Sequence, residues 1–318
     1  MTGAKVKVLF IAGSGRSGST LLHNMLGQVE GFFGVGELYQ IWGRGFSRNM
    51  LCGCRQTFRE CGTWAEILER AYGGFDSVDV AAMHRLSNDF RMERLHRLLL
   101  PALRRKHLER LGPYLDGVER LYQAIAATSG ARVIVDSSKT PFYGFLLNQI
   151  ESLETYVVLL TRDPRATSHS WTRKKAFQPD GHAPFWMSRQ HPAKSALQWS
   201  VRIGLTESYV RPDAAGYLRL RYESLVAHPR ESLQRILDLL QEPAPLDFVN
   251  GSRVAIRAPN HSVFGNLVRF RSGDVELQPD ENWRRDMHPA HKLAVTALTL
   301  PWLGKYGYSA RPGGARPA

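Results

Sequence analysis

The stretch FIAGSGRSGSTLL, residues 10–22, constrains the fold more than any other part of the chain. It nearly matches G-x-x-x-x-G-K-[ST], the pattern in which backbone N–H groups of a glycine turn cradle an anion at a helix N-terminus. Gly13 and Gly18 hold the glycine positions and Thr20 the hydroxyl position, while Ser19 stands where the lysine would be. The apolar, β-branched run of residues 5–12 reads as a short buried strand ended by glycine, and Thr20 to about Gln28 reads as a helix. Strand, glycine loop and helix in succession are the context that gives such a pattern meaning. A loop of this kind binds phosphate or sulfate through its main chain. Without the lysine it lacks the group that handles the β- and γ-phosphates of a triphosphate. Arg16 and the hydroxyls of Ser14, Ser17, Ser19 and Thr20 remain, a set suited to a nucleotide with a shorter anionic chain and no obligatory metal.

Downstream, strands and helices alternate. ARVIVD (131–136), TYVVLLT (155–161) and YLRLRY (217–222) read as buried strands; FFGVGELYQIW (32–42) reads as a short strand and a turn. Helices are expected over 81–100, 116–130 with a stop at Gly130, from about Pro141, from Pro164, over 193–210, over 229–240 and near 290–300. Residues 43–80, and the chain after Pro243, read as irregular. The expected fold class is α/β: a P-loop-like parallel β-sheet flanked by helices on both faces, with ligands at the carboxyl ends of the strands. No linker divides the chain, so a single domain is expected over residues 1–310, with 311–318 a disordered tail.

Charge narrows the ligand class. Of 318 residues, 42 are Lys or Arg and 29 Asp or Glu, a formal net charge of +13 with a pI near 9.9. Such a balance suits an anionic ligand, nucleic acid or an anionic membrane surface. The basic run 91–110 reads as a solvated helix face. No apolar run reaches the roughly 18 residues of a membrane span, and cleaving the first strand as a secretory signal would destroy the glycine loop. A cytoplasmic protein is expected. Cys52, Cys54 and Cys61 form C-x-C-x6-C; an odd number argues against a disulfide framework. Three ligands without an obvious fourth make a poor zinc site. Free thiols packing a loop are expected, with no metal. The aromatics of that loop, Trp42, Phe46, Phe58 and Trp64, are open to two roles, lining an acceptor pocket or plain packing.

A second anion element is TRDPRATSHS, in which Arg162 ends a strand and Ser170 follows about two helical turns on. Both can reach one anion lying over the start of that helix, the arginine through its planar fork.

Taken together, these motifs resemble those of sulfotransferases that use 3′-phosphoadenosine 5′-phosphosulfate (PAPS), in particular the carbohydrate-type branch. GSGRSGSTLL resembles the family's 5′-phosphosulfate loop, R-x7-S its 3′-phosphate site, and RYESLVAHPRESLQRILDLL its strand-"YE"-helix segment, in order from residue 5 to about 285. The resemblance implies PAPS as donor, bound without a metal by Ser14, Gly15, Arg16, Ser17, Gly18, Ser19, Thr20, Arg162, Ser170 and Tyr222, with Tyr222 near the adenine. HSVFGNLVRFRSGD (261–274) resembles the basic loop that closes over PAPS, which implicates Gly265 and Arg269. GELYQIW resembles the segment that carries a glutamate base, and VDSSKTPFYGF the one that carries a lysine beside the sulfuryl group. On that basis Glu37 is the candidate base, and Lys139 and Arg16 stabilise charge during in-line attack by an acceptor hydroxyl. Many family members carry lysine where Arg16 stands; arginine keeps the charge and gains a fork but is a poorer proton donor. His23 sits at the wrong position for a base and reads as a core or helix-surface residue, with His169 a weaker candidate. The acceptor is left open among small molecules, glycans and lipid-linked glycans, with no nucleic acid partner and peripheral contact with a membrane allowed. Two rival readings stand beside this one: a P-loop kinase or NTPase, with Asp136 as the magnesium-binding aspartate of VIVD, and a non-enzymatic nucleotide- or RNA-binding module using the basic 91–110 helix.

Overall fold

The structure, a computed structural model, describes residues 5–88, 100–174 and 186–310. Five strands form a parallel sheet: β1 (Val6–Gly13), β2 (Phe32–Gly36), β3 (Val133–Lys139), β4 (Leu153–Thr161) and β5 (Gly216–Arg221), in the order β2-β3-β1-β4-β5. β1 is central because the chain first winds to one side of it, through β2 and β3, and then to the other, through β4 and β5. The direction of winding reverses at its carboxyl end, where ligands of open α/β sheets bind. The hydrophobic pattern matches burial on both faces. Val8, Phe10 and Ala12 face one core cluster, and Leu9 and Ile11 the other, as the period of two requires.

The first core is covered by α2 (Gly62–Tyr72), α5 (Gly112–Ser129), α6 (Pro141–Leu147) and α8 (Pro192–Leu205); the second by α1 (Ser19–Leu26), α9 (Tyr222–Ala227) and α10 (Pro229–Leu240). The remaining helices are α3 (Val80–Ser87), α4 (Pro101–Arg110), α7 (Pro164–Thr172), α11 (Trp283–Asp286) and α12 (Pro289–Leu303). Seven of these helices, α4, α5, α6, α7, α8, α10 and α12, have proline in the first turn, where its missing N–H costs nothing. α5 stops at Gly130, whose φ of 63° is the left-handed conformation of a helix terminus. The parallel α/β architecture expected from the sequence is therefore the one observed.

Two expectations need correction. Residues 43–80 are not irregular throughout: α2 lies within them and packs on α5. Of the two roles open to the loop aromatics, packing is the one observed: Trp42, Phe58 and Trp64 are at most 1% exposed and Phe46 5%, and their rings contact one another in the first core. The chain after Pro243 holds an antiparallel sheet, β6 (Val249–Asn250), β7 (Arg253–Ile256) and β8 (Gly273–Glu276). Its strands are too short for alternation to show in the sequence, yet Val249, Val254 and Ile256 join the second core. Of the basic run 91–110, residues 91–99 lie outside the described residues, as does the 311–318 tail. Within α4, which covers 101–110, only His107 is buried.

Candidate functional site

The loop after β1 is held in one shape by three backbone features. Gly13 and Gly18 have φ of 138° and 93°, and between them Arg16 takes the left-handed conformation at 71°, uncommon for a residue with a side chain. A Cβ on Gly13 would collide with the Leu160 carbonyl, one on Gly18 with the Tyr222 ring, and one on Gly15 would stand 2.6 Å from the Trp171 ring. The Ser17 hydroxyl is turned inward, donating to the Ser14 carbonyl at 2.8 Å. α1 begins at Gly18 with no side-chain cap, so its first N–H groups are left for a ligand.

This loop forms one wall of a cavity of about 660 Å³. Six basic residues line it (Arg16, Arg44, Lys139, Arg162, Arg202, Arg271) against three acidic ones (Glu37, Glu276, Asp280). The Arg16 guanidinium lies over the Trp171 ring at 4.8 Å, and among the described residues none of its three nitrogens has a hydrogen-bond partner. Burial, and then the charge of Arg173, lowers its pKa to about 10, with Glu37 acting the other way. A desolvated guanidinium with no acceptor is costly, a cost that an anion in the cavity would offset.

Arg162, at the end of β4, stacks on Tyr222 at 4.5 Å, donates to the Arg16 carbonyl at 3.2 Å and pairs with Asp280 at 3.1 Å. Asp280 also holds Arg173 at 3.0 Å. Ser170 and Tyr222 line the same cavity. The two anion elements of the sequence thus meet: Arg162 touches the backbone of Arg16 itself.

Glu37 and Lys139 are brought together by irregularities in the sheet. Gly34 and Gly36 pair with the consecutive residues Val135 and Asp136, and Phe10 and Ala12 with Asp136 and Lys139. One residue bulges from β2 and one from β3, and bulges re-aim the side chains beyond them. Lys139 has φ 64°. Its ammonium reaches the Glu37 carboxylate at 2.6 Å and the Ser137 carbonyl at 2.9 Å, which leaves one of its three N–H donors for the cavity. The Glu37 N–H donates to the Phe264 carbonyl at 3.0 Å, and the Tyr39 N–H to Ser138 Oγ at 3.1 Å.

Three of the expected contacts, Ser17, Gly265 and Arg269, do not line the cavity, and Ser17 is fully buried. Arg269 is 1% exposed; its guanidinium donates to the carbonyls of Gly265 and Leu51, and neither Arg269 nor Gly265 lines the cavity. Arg271, two residues on, does. Asp136 does not line the cavity either. Its carboxylate accepts from the Tyr122 hydroxyl at 2.5 Å and the Ser138 N–H at 2.7 Å, and burial raises its pKa to about 6. His23 is a core residue: its Nε2 accepts from the Gly36 N–H at 2.9 Å, and burial lowers its pKa to about 4. The sequence reading missed Gln198 and Arg202, which share one face of α8 four residues apart and line the cavity. They lie beside the apolar face of Ala196, Trp199 and Ile203, where a polar pair reads as an ordinary helix surface, so the sequence carried no signal for them.

The profile of the sulfotransferase family matches residues 9–245. A sulfotransferase domain from the curacin biosynthetic pathway superposes with a TM-score of 0.52 at 18% identity, covering 96% of this chain and 99% of that one. A sulfotransferase domain from the olefin synthase of Synechococcus PCC 7002 does so with a TM-score of 0.50 at 20% identity, covering 96% of each chain. At these identities the likeness is one of fold. No curated protein matches the chain in sequence.

Proposed function

Because the chain belongs to the sulfotransferase family, we propose that it transfers a sulfuryl group from PAPS to a hydroxyl of a small-molecule, glycan or lipid-linked acceptor. The observation that carries this reading is the Arg16 guanidinium, buried, unpartnered and held at the left-handed apex of a lysine-free glycine loop. The N-terminus of α1, which has no side-chain cap, and the Arg16 guanidinium aim donors at one place on the cavity wall, so the residues present fit the donor's 5′ end. Arg162, Ser170 and Tyr222 would hold its 3′-phosphonucleoside end.

PAPS, when bound, supplies a sulfuryl group activated by a phosphate leaving group. The loop N–H groups and Arg16 orient that end and offset negative charge through contacts formed before reaction, so no reorganisation is needed during it. Glu37 accepts the proton of the acceptor hydroxyl. The Lys139 ammonium, already fixed by Ser137 and Glu37, orients the carboxylate and directs its remaining N–H toward the developing charge. We propose that the transfer needs no divalent ion, the cavity's Arg16 and Lys139 supplying the positive charge. Gln40, Gln190, Gln198, Arg44 and Arg202 line the cavity as well; that many donors favours a polyhydroxylated or acidic acceptor over a bare phenol. Among the described residues no helix is long and apolar enough to cross a membrane.

The test is a calorimetric comparison of 3′,5′-adenosine bisphosphate with 5′-AMP, followed by labelled-sulfuryl transfer to an acceptor panel. Tighter binding of the bisphosphate, lost in Arg162→Ala, is expected. Equal affinity for the two nucleotides, or turnover of ATP with magnesium in place of PAPS, would refute the proposal.

A further inference from the structure

Away from the cavity, Cys52, Cys54, Cys61 and His261 converge so that one ligand atom from each lies within 4.8 Å of every other. Cys54 Sγ is 3.6 Å from Cys61 Sγ, and His261 Nδ1 is 3.4 Å from Cys61 Sγ and 3.9 Å from Cys52 Sγ. A tetrahedral zinc ion has Zn–S of about 2.3 Å and Zn–N of about 2.0–2.1 Å, which sets its ligands about 3.8 Å apart sulfur to sulfur and about 3.5 Å sulfur to nitrogen. These three separations match edges of such a tetrahedron, the remaining ligand pairs lie within 4.8 Å, and Cys54 Sγ and Cys61 Sγ are well beyond the bonding distance of a disulfide, about 2.05 Å. From this geometry we infer that Cys52, Cys54, Cys61 and His261 form a structural zinc site of the Cys3His type. The sequence reading lacked the fourth ligand because it lies 200 residues from Cys61.

The surroundings match what such a site needs. The other ring nitrogen of His261, Nε2, faces Thr63 Oγ1 at 3.3 Å, the outer hydrogen bond that fixes the ring of a metal-bound histidine. Phe33 stacks on the ring at 5.9 Å, and Trp64 Nε1 donates to the His261 carbonyl at 2.8 Å. Cys52 and Cys61 are fully buried. On binding, zinc displaces the three thiol protons to solvent, and three thiolates with a neutral imidazole leave the centre at −1. Arg269, buried and with its Nε unpartnered, donates to the Leu51 carbonyl next to Cys52. A centre of −1 supplies the countercharge that this guanidinium lacks in ion pairs among the described residues.

The site has a mechanical consequence. Two residues beyond His261, Val263 N–H bonds to the Val35 carbonyl, and the Phe264 carbonyl takes the Glu37 N–H, both at 3.0 Å. Zinc would staple the segment that closes the free edge of β2, carries Phe264 and Asn266 into the cavity wall, and holds the backbone of Glu37.

The full chain, purified under reducing conditions and reconstituted with zinc, is to be examined by native mass spectrometry and elemental analysis. One zinc per chain is expected, with the visible d–d bands of four-coordinate cobalt on exchange and protection of all three thiols from alkylation. His261→Cys keeps four ligands and should retain stoichiometric metal. His261→Ala should weaken binding beyond the roughly 10- to 100-fold that loss of an outer hydrogen bond costs. Substoichiometric zinc in the unmodified chain, octahedral cobalt spectra, or a Cys54–Cys61 disulfide in the freshly reduced protein would overturn the inference. The comparison of His261→Cys with the unmodified chain holds even if other ligand variants fail to fold.

Discussion

Glu37 and Lys139 are each unremarkable in the sequence, and their 2.6 Å contact is what makes them a candidate catalytic pair. If Glu37 is the base, Glu37→Gln should lower turnover by about 10²–10⁴-fold, while the Kd for 3′,5′-adenosine bisphosphate changes little; equal losses in both would assign Glu37 to binding instead. Arg16→Ala removes charge-assisted contacts worth about 1.5–3 kcal/mol, so that Kd should rise roughly 10- to 100-fold in isothermal titration. Two buried groups set opposing pH dependences. His23, depressed to about 4, contributes stability above its unfolded pKa near 6.5 that is lost as pH falls toward 4. Asp136, raised to about 6, contributes stability below its ordinary pKa that is lost as pH rises through 6. Asp136→Asn removes the second dependence, so the variant's Tm should rise relative to the unmodified protein between about pH 4 and 6. A Tm difference that does not vary with pH would show that Asp136 titrates alike in the folded and unfolded states.

At the scale of elements, the strand–glycine loop–helix unit was legible because its signals are short-range: a run of apolar residues, two glycines at fixed spacing, and a helix start. Gly18 shows how tightly the unit is built, with left-handed φ and the Tyr222 ring against its α-carbon. Gly18→Ala should cost about 1–2 kcal/mol in backbone conformation alone. It should also displace Tyr222, lowering both Tm in thermal melts and bisphosphate affinity. The sheet bulges that aim Glu37 and Lys139 were not legible. A bulge is a mismatch between two paired strands, and neither strand carries it alone. The same holds for Arg269 and Arg271: both are basic residues of one loop, and only packing turns the first into the wall and the second to the cavity.

For the whole molecule, the matched family region ends at residue 245, yet the cavity is closed by later residues, among them Phe264, Asn266, Arg271 and Asp280. They are tied to the glycine-loop helix by the Asn24 amide, which donates to the Val268 carbonyl at 2.8 Å. Through Asp280 this late segment also occupies Arg162. Asp280→Asn should free the guanidinium and tighten 3′,5′-adenosine bisphosphate binding without a matching gain for 5′-AMP, as read by titration calorimetry. Weaker binding of both would mean that Asp280 organises Arg162 and does not compete for it.

What the sequence determined by itself was the parallel α/β frame and the strand–glycine loop–helix unit, since hydrophobic period, glycine spacing and helix starts act over a few residues. The tertiary structure alone decided which distant side chains meet: Glu37 with Lys139, Arg162 with Asp280, and three cysteines with His261. Those encounters depend on strand order, bulges and packing between elements far apart in the chain, and no local pattern of residues encodes them.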